Sequence, residues 1–184
     1  MSIFSAYPKT PRISKAFWCI ITEKLDGTNA QIIIENGQIV GVGSRSRLIT
    51  PGKLTDNYGF AGWVEQNASE LVKLGDGRHF GEWYGNGIQR GYGLDHKRFA
   101  LFDAMRWSGR NVPPEEFPNC VEVVPVIYRG EYSPAKVTEA MELLRYGGSY
   151  AAEGFMNPEG IIVEMNGQRA KHTFEHVDGK WLAA

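Results

Sequence analysis

Little in this sequence marks it for a membrane, for secretion or for a disulfide framework. It has two cysteines, Cys19 and Cys120, in 184 residues. That is too few for a disulfide scaffold, and their spacing suits no metal, so a reducing cytoplasm is the expected setting. The longest apolar run, Ala16 to Ile21, is about six residues, far short of the ~20 that a spanning helix needs; no membrane association is expected. The N-terminus, with Tyr7-Pro8-Lys9 and Pro11-Arg12, lacks the apolar core of a signal peptide. No repeat, low-complexity tract or flexible linker interrupts the chain. There is also no excess of one charge. Lys and Arg number 20 against 21 Asp and Glu, a net charge of −1, which argues against a generic nucleic-acid coat protein. Basic residues do gather at Arg45, Arg47 and Lys53 and again at Arg78, Arg90, Lys97 and Arg98, with Glu115, Glu116, Glu139 and Glu142 in the last third. A local basic groove and a scattered solvated surface fit that split equally well.

What is present is an ordinary globular composition, 42% hydrophobic and 22% charged, long enough for one domain with its own core. Two Asn-Gly pairs between apolar runs predict hairpins. The first joins 30–35 to 38–45 through Asn36-Gly37, and the second joins 160–165 to 168–175 through Asn166-Gly167. Apolar residues at helical spacing predict a helix from Asp56 to Leu74, stopped by Gly75. Arg78 to Tyr84 reads as a strand, 85–93 as a glycine-rich loop, and Arg98 to Trp107 as a strongly apolar strand. Pro113-Pro114 and Pro118 mark an irregular crossing. Cys120 to Tyr128 reads as a strand broken at Pro125. Ser133-Pro134 opens a helix that Gly147-Gly148 closes. Strands joined by hairpins predict an α+β fold with mostly antiparallel sheets.

Five segments carry chemistry. The first is Glu23-Lys24-Leu25-Asp26-Gly27-Thr28-Asn29, which sets a lysine at the end of a strand beside a carboxylate and a glycine turn. A lysine amine with an ordinary pKa near 10.4 is almost wholly protonated at neutral pH, so it becomes a nucleophile only where its surroundings favour the free amine; otherwise it is an exposed hairpin lysine. The second is Phe80-Gly81-Glu82, with Gly87-Ile88-Gln89-Arg90 following. A glutamate between glycines can reach a ligand hydroxyl, or can be a solvated carboxylate at a bulge. The third, Arg98 to Asp103, holds Phe99 and Phe102 on opposite faces of a strand, one able to present its ring to a purine and the other to the core. The fourth is Glu159 leading into Gly160-Ile161-Ile162-Val163, and the fifth is Arg169-Ala170-Lys171 on the partner strand.

In this order the segments resemble the covalent nucleotidyltransferase superfamily of ATP-dependent DNA and RNA ligases and capping enzymes, and are most similar to phage-type RNA ligases. Ser44-Arg45 with Pro51 and Tyr58-Gly59-Phe60 adds to the likeness, which spans about residues 16 to 176. The resemblance implies the ligase adenylation fold and an enzyme that joins RNA 5′-phosphate and 3′-hydroxyl ends with ATP and magnesium or manganese, as in RNA repair. It implies Lys24 as the nucleophile that forms lysyl-AMP, Glu23 along the adenine edge, and Arg45 (less so Arg47) on ribose or phosphate. Glu82 would hold the ribose, Phe102 stack on adenine, Glu159 organise the metal, and Lys171 contact the α-phosphate. Asp26 and Asn29 would shape the end-binding pocket, with Arg47, Lys53, Arg90 and the glycine-rich loop left to grip RNA. Arg169 stands where the family carries a lysine. The chain is expected to be a single catalytic domain, 1–184, without an appended C-terminal domain, and a monomer. A DNA ligase or GTP-using capping enzyme, or a non-catalytic domain that binds nucleotide or RNA ends, are the alternatives.

Overall fold

Alternation along the first strand divides the molecule into layers. A computed structural model gives the chain's structure for residues 17–52, 55–108 and 116–174; Ala16, Lys53 and Pro113-Pro114 lie outside the described residues. Strand β1 (Trp18–Lys24) is buried on both faces. Cys19 and Ile21 pack with Ala140, Met141 and Leu144 of one helix, whereas Ile20 packs with Tyr84, Ala100 and Val124 on the other side. A strand whose successive side chains point to opposite faces can serve two cores only in this way.

Two sheets result. Strands β2 (Thr28–Glu35) and β3 (Gln38–Ser44) form the first hairpin, followed by β4 (Gly77–Gly85), β5 (Lys97–Leu101) and β6 (Val121–Val123). Strands β7 (Val126–Glu131), β8 (Gly160–Met165) and β9 (Gln168–Thr173) join β1. The sheet orders are β3-β2-β4-β5-β6 and β7-β1-β8-β9. Every pairing is antiparallel except β5 with β6, so the α+β, mostly antiparallel expectation holds. The chain leaves one sheet for the other at Pro125, between β6 and β7. Proline has no N–H to give a ladder, and here its carbonyl accepts from the Glu23 N–H at 2.9 Å, opposite a bulge in β1 between Ile21 and Thr22.

Helices cover the outer faces. Helix α1 (Phe60–Gln66) and α2 (Ala68–Leu71) bury Phe60, Val64 and Leu71 against Ile32, Trp83 and Phe99 of the five-stranded sheet. Helix α3 (Ala104–Trp107) follows β5, and α4 (Pro134–Gly147), capped by the Ser133 hydroxyl, covers the four-stranded sheet. The continuous helix expected over 56–74 is broken twice, near its start and in its middle. Tyr58 and Gly59 have left-handed φ values of 59° and 86°. At Asn67 the side-chain amide donates to the Trp63 carbonyl at 2.8 Å, the local competition that makes asparagine a poor helix-interior residue. The strand expected over 98–107 stops at Leu101, because Asp103 turns the chain and caps α3 by accepting the Arg106 N–H at 3.0 Å.

Gly59, at the cap position of α1, has no side chain to serve its N–H groups. The Asp56 carboxylate does so instead, accepting from Ala61 at 2.5 Å and from Gly62 at 3.3 Å. Asp56→Ala should therefore lower stability by about 1–2 kcal/mol, the usual cost of losing a cap. Urea denaturation would measure it, and a change within experimental error would show that water replaces the carboxylate.

Candidate active site

Between the sheets lies a cavity of about 580 Å³, within the size range of small-molecule sites. Register explains its lining. On the four-stranded sheet, Thr22, Ile162 and Lys171 form one row across β1, β8 and β9, and Ile20, Glu164 and Arg169 form the next. All six line the cavity. On the other sheet, Asn29 and Glu82 are cross-strand partners, and both also line it, with Arg45 and Phe102 at its margins. One end is apolar, walled by Ile20, Phe102, Ala104, Met105 and Val124. The other is polar, holding Lys24, Asp26, Asn29 and Glu82.

Lys24 is the last residue of β1 and pairs with Gly160, the first of β8. Gly160 has φ of 150°, and a Cβ there would collide with the His172 carbonyl, so only glycine lets β9 close on β8 at this point. Glu159 precedes it, and its Oε2 receives the Lys24 Nζ at 2.5 Å. Both side chains are about one-fifth exposed, at 23% and 16%. Lys24 lines the cavity, whereas Glu159 lies just outside its lining; the partial exposure of both leaves the pair open to competition by a ligand.

The turn after Lys24 is held from three sides. The Gly27 N–H donates to Glu82 Oε1 at 3.1 Å. A side chain at position 27 would collide with the Trp83 carbonyl. The Asp26 N–H donates to the Tyr92 hydroxyl at 2.8 Å, and the Asp26 carboxylate accepts from Arg90 Nε at 2.8 Å. Thr28 bonds Asn57, whose amide in turn reaches the Asn29 carbonyl. Burial pushes the Glu82 carboxyl up to about 7, against the opposing pull of Lys24 and the Gly27 N–H.

Glu23 lines the cavity too, but its carboxylate is occupied elsewhere. It accepts from the Ser149 hydroxyl at 2.7 Å and from the Tyr150 and Ala151 N–H groups at 2.8 and 3.2 Å. Its side chain thus leaves β1 on the face opposite Lys24, and burial raises its pKa despite these three donors. Phe99 is fully buried in the core under α1 while Phe102 is half-buried at the cavity. Arg45 and Lys171 are exposed beside it, and Arg169 is held by Glu164 at 2.7 Å. Arg47 is exposed and outside the cavity lining. Sequence reasoning missed Tyr92, Ser149 and Asn157, and did not foresee that the Arg90 guanidinium, expected to help grip RNA, also reaches Asp26. Arg90 stood out in the glycine-rich loop; Tyr92 had no signal beyond being an aromatic among glycines.

The raised Glu82 pKa has a consequence for stability. The native state favours the neutral acid, so ionisation between about pH 4.5, its unfolded value, and about 7 costs stability as pH rises through that window. Glu82→Gln keeps an acceptor for Gly27 without the charge. Its stability relative to the parent should rise by on the order of 2 kcal/mol between pH 4 and pH 8. Thermal denaturation at the two pH values measures this, and a pH-independent difference would place the native pKa near the ordinary one.

The family model described as RNA ligase matches residues 18–177. Among solved structures, a variant of the Naegleria gruberi RNA ligase with ATP and Mn is similar at TM-score 0.59 and 18% identity, over 86% of this chain and 50% of that one. The same enzyme with PPi gives 0.57 and 18% over the same shares. Another variant with ATP and Mn gives 0.59 and 17%, over 94% of this chain and 57% of that one. The chain thus spans about half the length of these structures, and at such identity the likeness is one of fold. No curated protein matches the chain. The family match runs from β1 past β9 and takes in every segment that lines the cavity, so the chain belongs to the RNA ligase family.

Proposed function

We propose that this chain carries the catalytic domain of an ATP-dependent RNA ligase that joins 5′-phosphate and 3′-hydroxyl ends through a lysyl-AMP intermediate. The observation that carries this reading is Lys24 itself. Its amine stands at the rim of a cavity with an aromatic wall at one end and Arg45 and Lys171 beside it. Adenine suits the apolar end, against the Phe102 ring; ribose suits Glu82, whose carboxyl is neutral or charged near physiological pH. The phosphates suit Lys171 and Arg45, which supply positive charge where negative charge accumulates.

In the first step the free Lys24 amine attacks the α-phosphorus of ATP. The N–P bond forms, the bond from the α-phosphorus to the bridging oxygen breaks, pyrophosphate leaves, and the amine's proton passes to water. An RNA 5′-phosphate oxygen then attacks the same phosphorus, the N–P bond breaks, and Lys24 is regenerated as the RNA end becomes adenylylated. Finally a 3′-hydroxyl attacks that 5′-phosphate and AMP departs. The protein's task throughout is positioning and charge neutralisation. Among the described residues no three metal-ligating side chains cluster. Magnesium and manganese, however, commonly take one or two carboxylates and complete their shell with phosphate oxygens and water. Glu159 as the carboxylate fits an ion that arrives with ATP, and such an ion would neutralise charge on the phosphate oxygens.

Incubation with ATP labelled at the α-phosphate should leave label on the protein after denaturation, and Lys24→Ala should abolish it. Label that persists in Lys24→Ala, or none on the parent protein, overturns the covalent reading. Parallel reactions with α-labelled GTP, and with DNA in place of RNA ends, separate the ligase from a capping enzyme and a DNA ligase.

Phe102→Leu should weaken ATP use by about 1–3 kcal/mol, the range of base–aromatic stacking, with little change in stability. Phe99→Leu should do the reverse, costing stability through a core cavity. The KM for ATP in the labelling reaction and a denaturation curve together decide. A larger nucleotide effect at Phe99 would put adenine on the other face of β5.

A further inference from the structure

The Lys24–Glu159 pair joins two chain segments that nothing nearby in sequence holds together. Lys24 ends β1 and Glu159 precedes β8, 135 residues later. Paired strands fix their backbones, with Lys24 opposite Gly160. The side chains, however, project from points where each strand gives way to a turn. One residue spans both turns. Arg90 donates from Nε to the Asp26 carboxylate at 2.8 Å and from Nη1 to the Asn157 side-chain oxygen at 2.9 Å. Asp26 lies two residues after Lys24, and Asn157 two residues before Glu159. The guanidinium therefore ties together the flanks of the ion pair from outside the cavity, whose lining does not include it.

The setting of Arg90 gives that tie rigidity. It follows Gln89, which has a left-handed φ of 44°, and precedes Gly91 at 66° and Tyr92 at 54°. Tyr92 is buried among Tyr84 and Phe155 and accepts the Asp26 N–H through its hydroxyl. The loop thus grips Asp26 by both backbone and side chain, through two residues two positions apart. A guanidinium is suited to this because its planar fork offers several N–H donors in fixed directions, whereas an ammonium cannot reproduce that spread. At 15% side-chain exposure for Arg90 and 25% for Asp26, the pair is shielded enough to hold its geometry, unlike a surface ion pair.

We propose, on the strength of the ligase reading above, that Arg90 is a positioning residue for lysine adenylylation. It sets the Lys24 amine and the Glu159 carboxylate in register with the α-phosphorus without touching nucleotide. The competing role is the one its place in a basic, glycine-rich loop first suggested, a direct contact to RNA. The two roles act on different steps. A positioning residue governs formation of the N–P bond, with no RNA present. An RNA contact governs only the later transfer of AMP to a 5′-phosphate.

The test is single-turnover labelling of the full chain with α-phosphate-labelled ATP, in the absence of RNA, for the parent, Arg90→Lys, Arg90→Ala and Asn157→Ala. Positioning predicts a loss of about 10²-fold in the adenylylation rate of Arg90→Ala, the scale expected of a small misplacement of reacting groups. The ATP concentration at half-maximal rate should stay within about twofold, since the residue lies outside the cavity. Arg90→Lys should recover little of the rate, and added guanidinium, but not ammonium, should partly restore Arg90→Ala. Asn157→Ala, an exposed substitution that leaves the Asp26 contact intact, should lose less than Arg90→Ala and lose nothing further when the two are combined. That variant keeps the test decisive where Arg90→Ala folds poorly, as thermal denaturation would report. Full adenylylation by all variants, with only the RNA-dependent discharge of lysyl-AMP impaired, overturns the proposal in favour of the RNA contact. Equal recovery by Arg90→Lys overturns it too, because charge alone would then suffice. Absence of label on the parent protein would instead bring down the ligase reading on which the proposal rests.

Discussion

The short contact between Lys24 and Glu159 is the constraint around which the rest of this fold is arranged. An ammonium and a carboxylate 2.5 Å apart require two strand ends, one early and one late in the chain, to meet side by side. The antiparallel pairing of β1 with β8 supplies that meeting, and it is possible only because position 160 has no side chain to keep β9 away. Every other site residue is then placed by strand parity relative to this pair. Thr22 and Ile20 follow Lys24 down one face of β1; Ile162 and Lys171 follow across the sheet. The second sheet brings Glu82 and Asn29 opposite them because the turn at Gly27 lets β2 begin directly beneath β4. The cavity is thus the space left between the two sheets, next to the strand end that carries Lys24.

Carboxylates dominate the polar end of this space, and burial gives each a different character. Glu159 is balanced by an ammonium, and Asp26 by a guanidinium. Glu82 has only one backbone N–H and the more distant Lys24 to set against its desolvation, and so its pKa rises to about 7. A group in that state can accept or donate a hydrogen bond to a ligand hydroxyl at neutral pH, which suits the ribose contact proposed above. Glu23 is more deeply buried, yet three donors from the turn after α4 hold it. That carboxylate anchors the end of β1 to the segment that follows α4. A carboxylate there fixes the backbone from which Lys24 projects.

The parts legible in the sequence were those decided by local chemistry. Asn36-Gly37 and Asn166-Gly167 turn their hairpins with the asparagines at φ of 51° and the glycines at 71° and 75°, as expected of turns that demand left-handed residues. Pro125 breaks its strand because it cannot donate, and Ser133-Pro134 starts its helix because it can cap. The strand-end positions of Lys24 and Glu159, and the opposed faces of Phe99 and Phe102, follow from the same period-two alternation. What could not be read was whatever depended on a partner far away. The direction of the Glu23 carboxylate is set by residues 126–128 positions later, and the Arg90–Asp26 pair spans 64. The broken helix at 56–74 shows a different limit: its apolar spacing is real, and the core it predicts exists. The breaks come from left-handed backbone at Tyr58 and a single side-chain amide at Asn67, neither of which alters periodicity.

These two kinds of information bear on different properties of the site. Local rules put these residue types at strand ends, which is enough to line a cavity with them. Reaction at phosphorus also demands that the amine, the carboxylate and the phosphorus lie within a fraction of an ångström of their working positions. A lysine and a glutamate at the ends of strands, each with several rotatable bonds and partly exposed, do not hold that geometry unaided. The long-range contacts of Arg90, Tyr92 and Ser149 converge on Glu23 and Asp26, which flank Lys24, and on Asn157 near Glu159, while Arg90, Tyr92 and Ser149 themselves stay out of the cavity lining. On the ligase reading proposed above, binding residues would face the ligand while Arg90, Tyr92 and Ser149, which do not line the cavity, would fix the backbone from which Lys24 projects. Substitutions in that outer set should change how fast the lysine reacts far more than how tightly nucleotide is held, which is why a site of this kind cannot be judged from its lining residues alone.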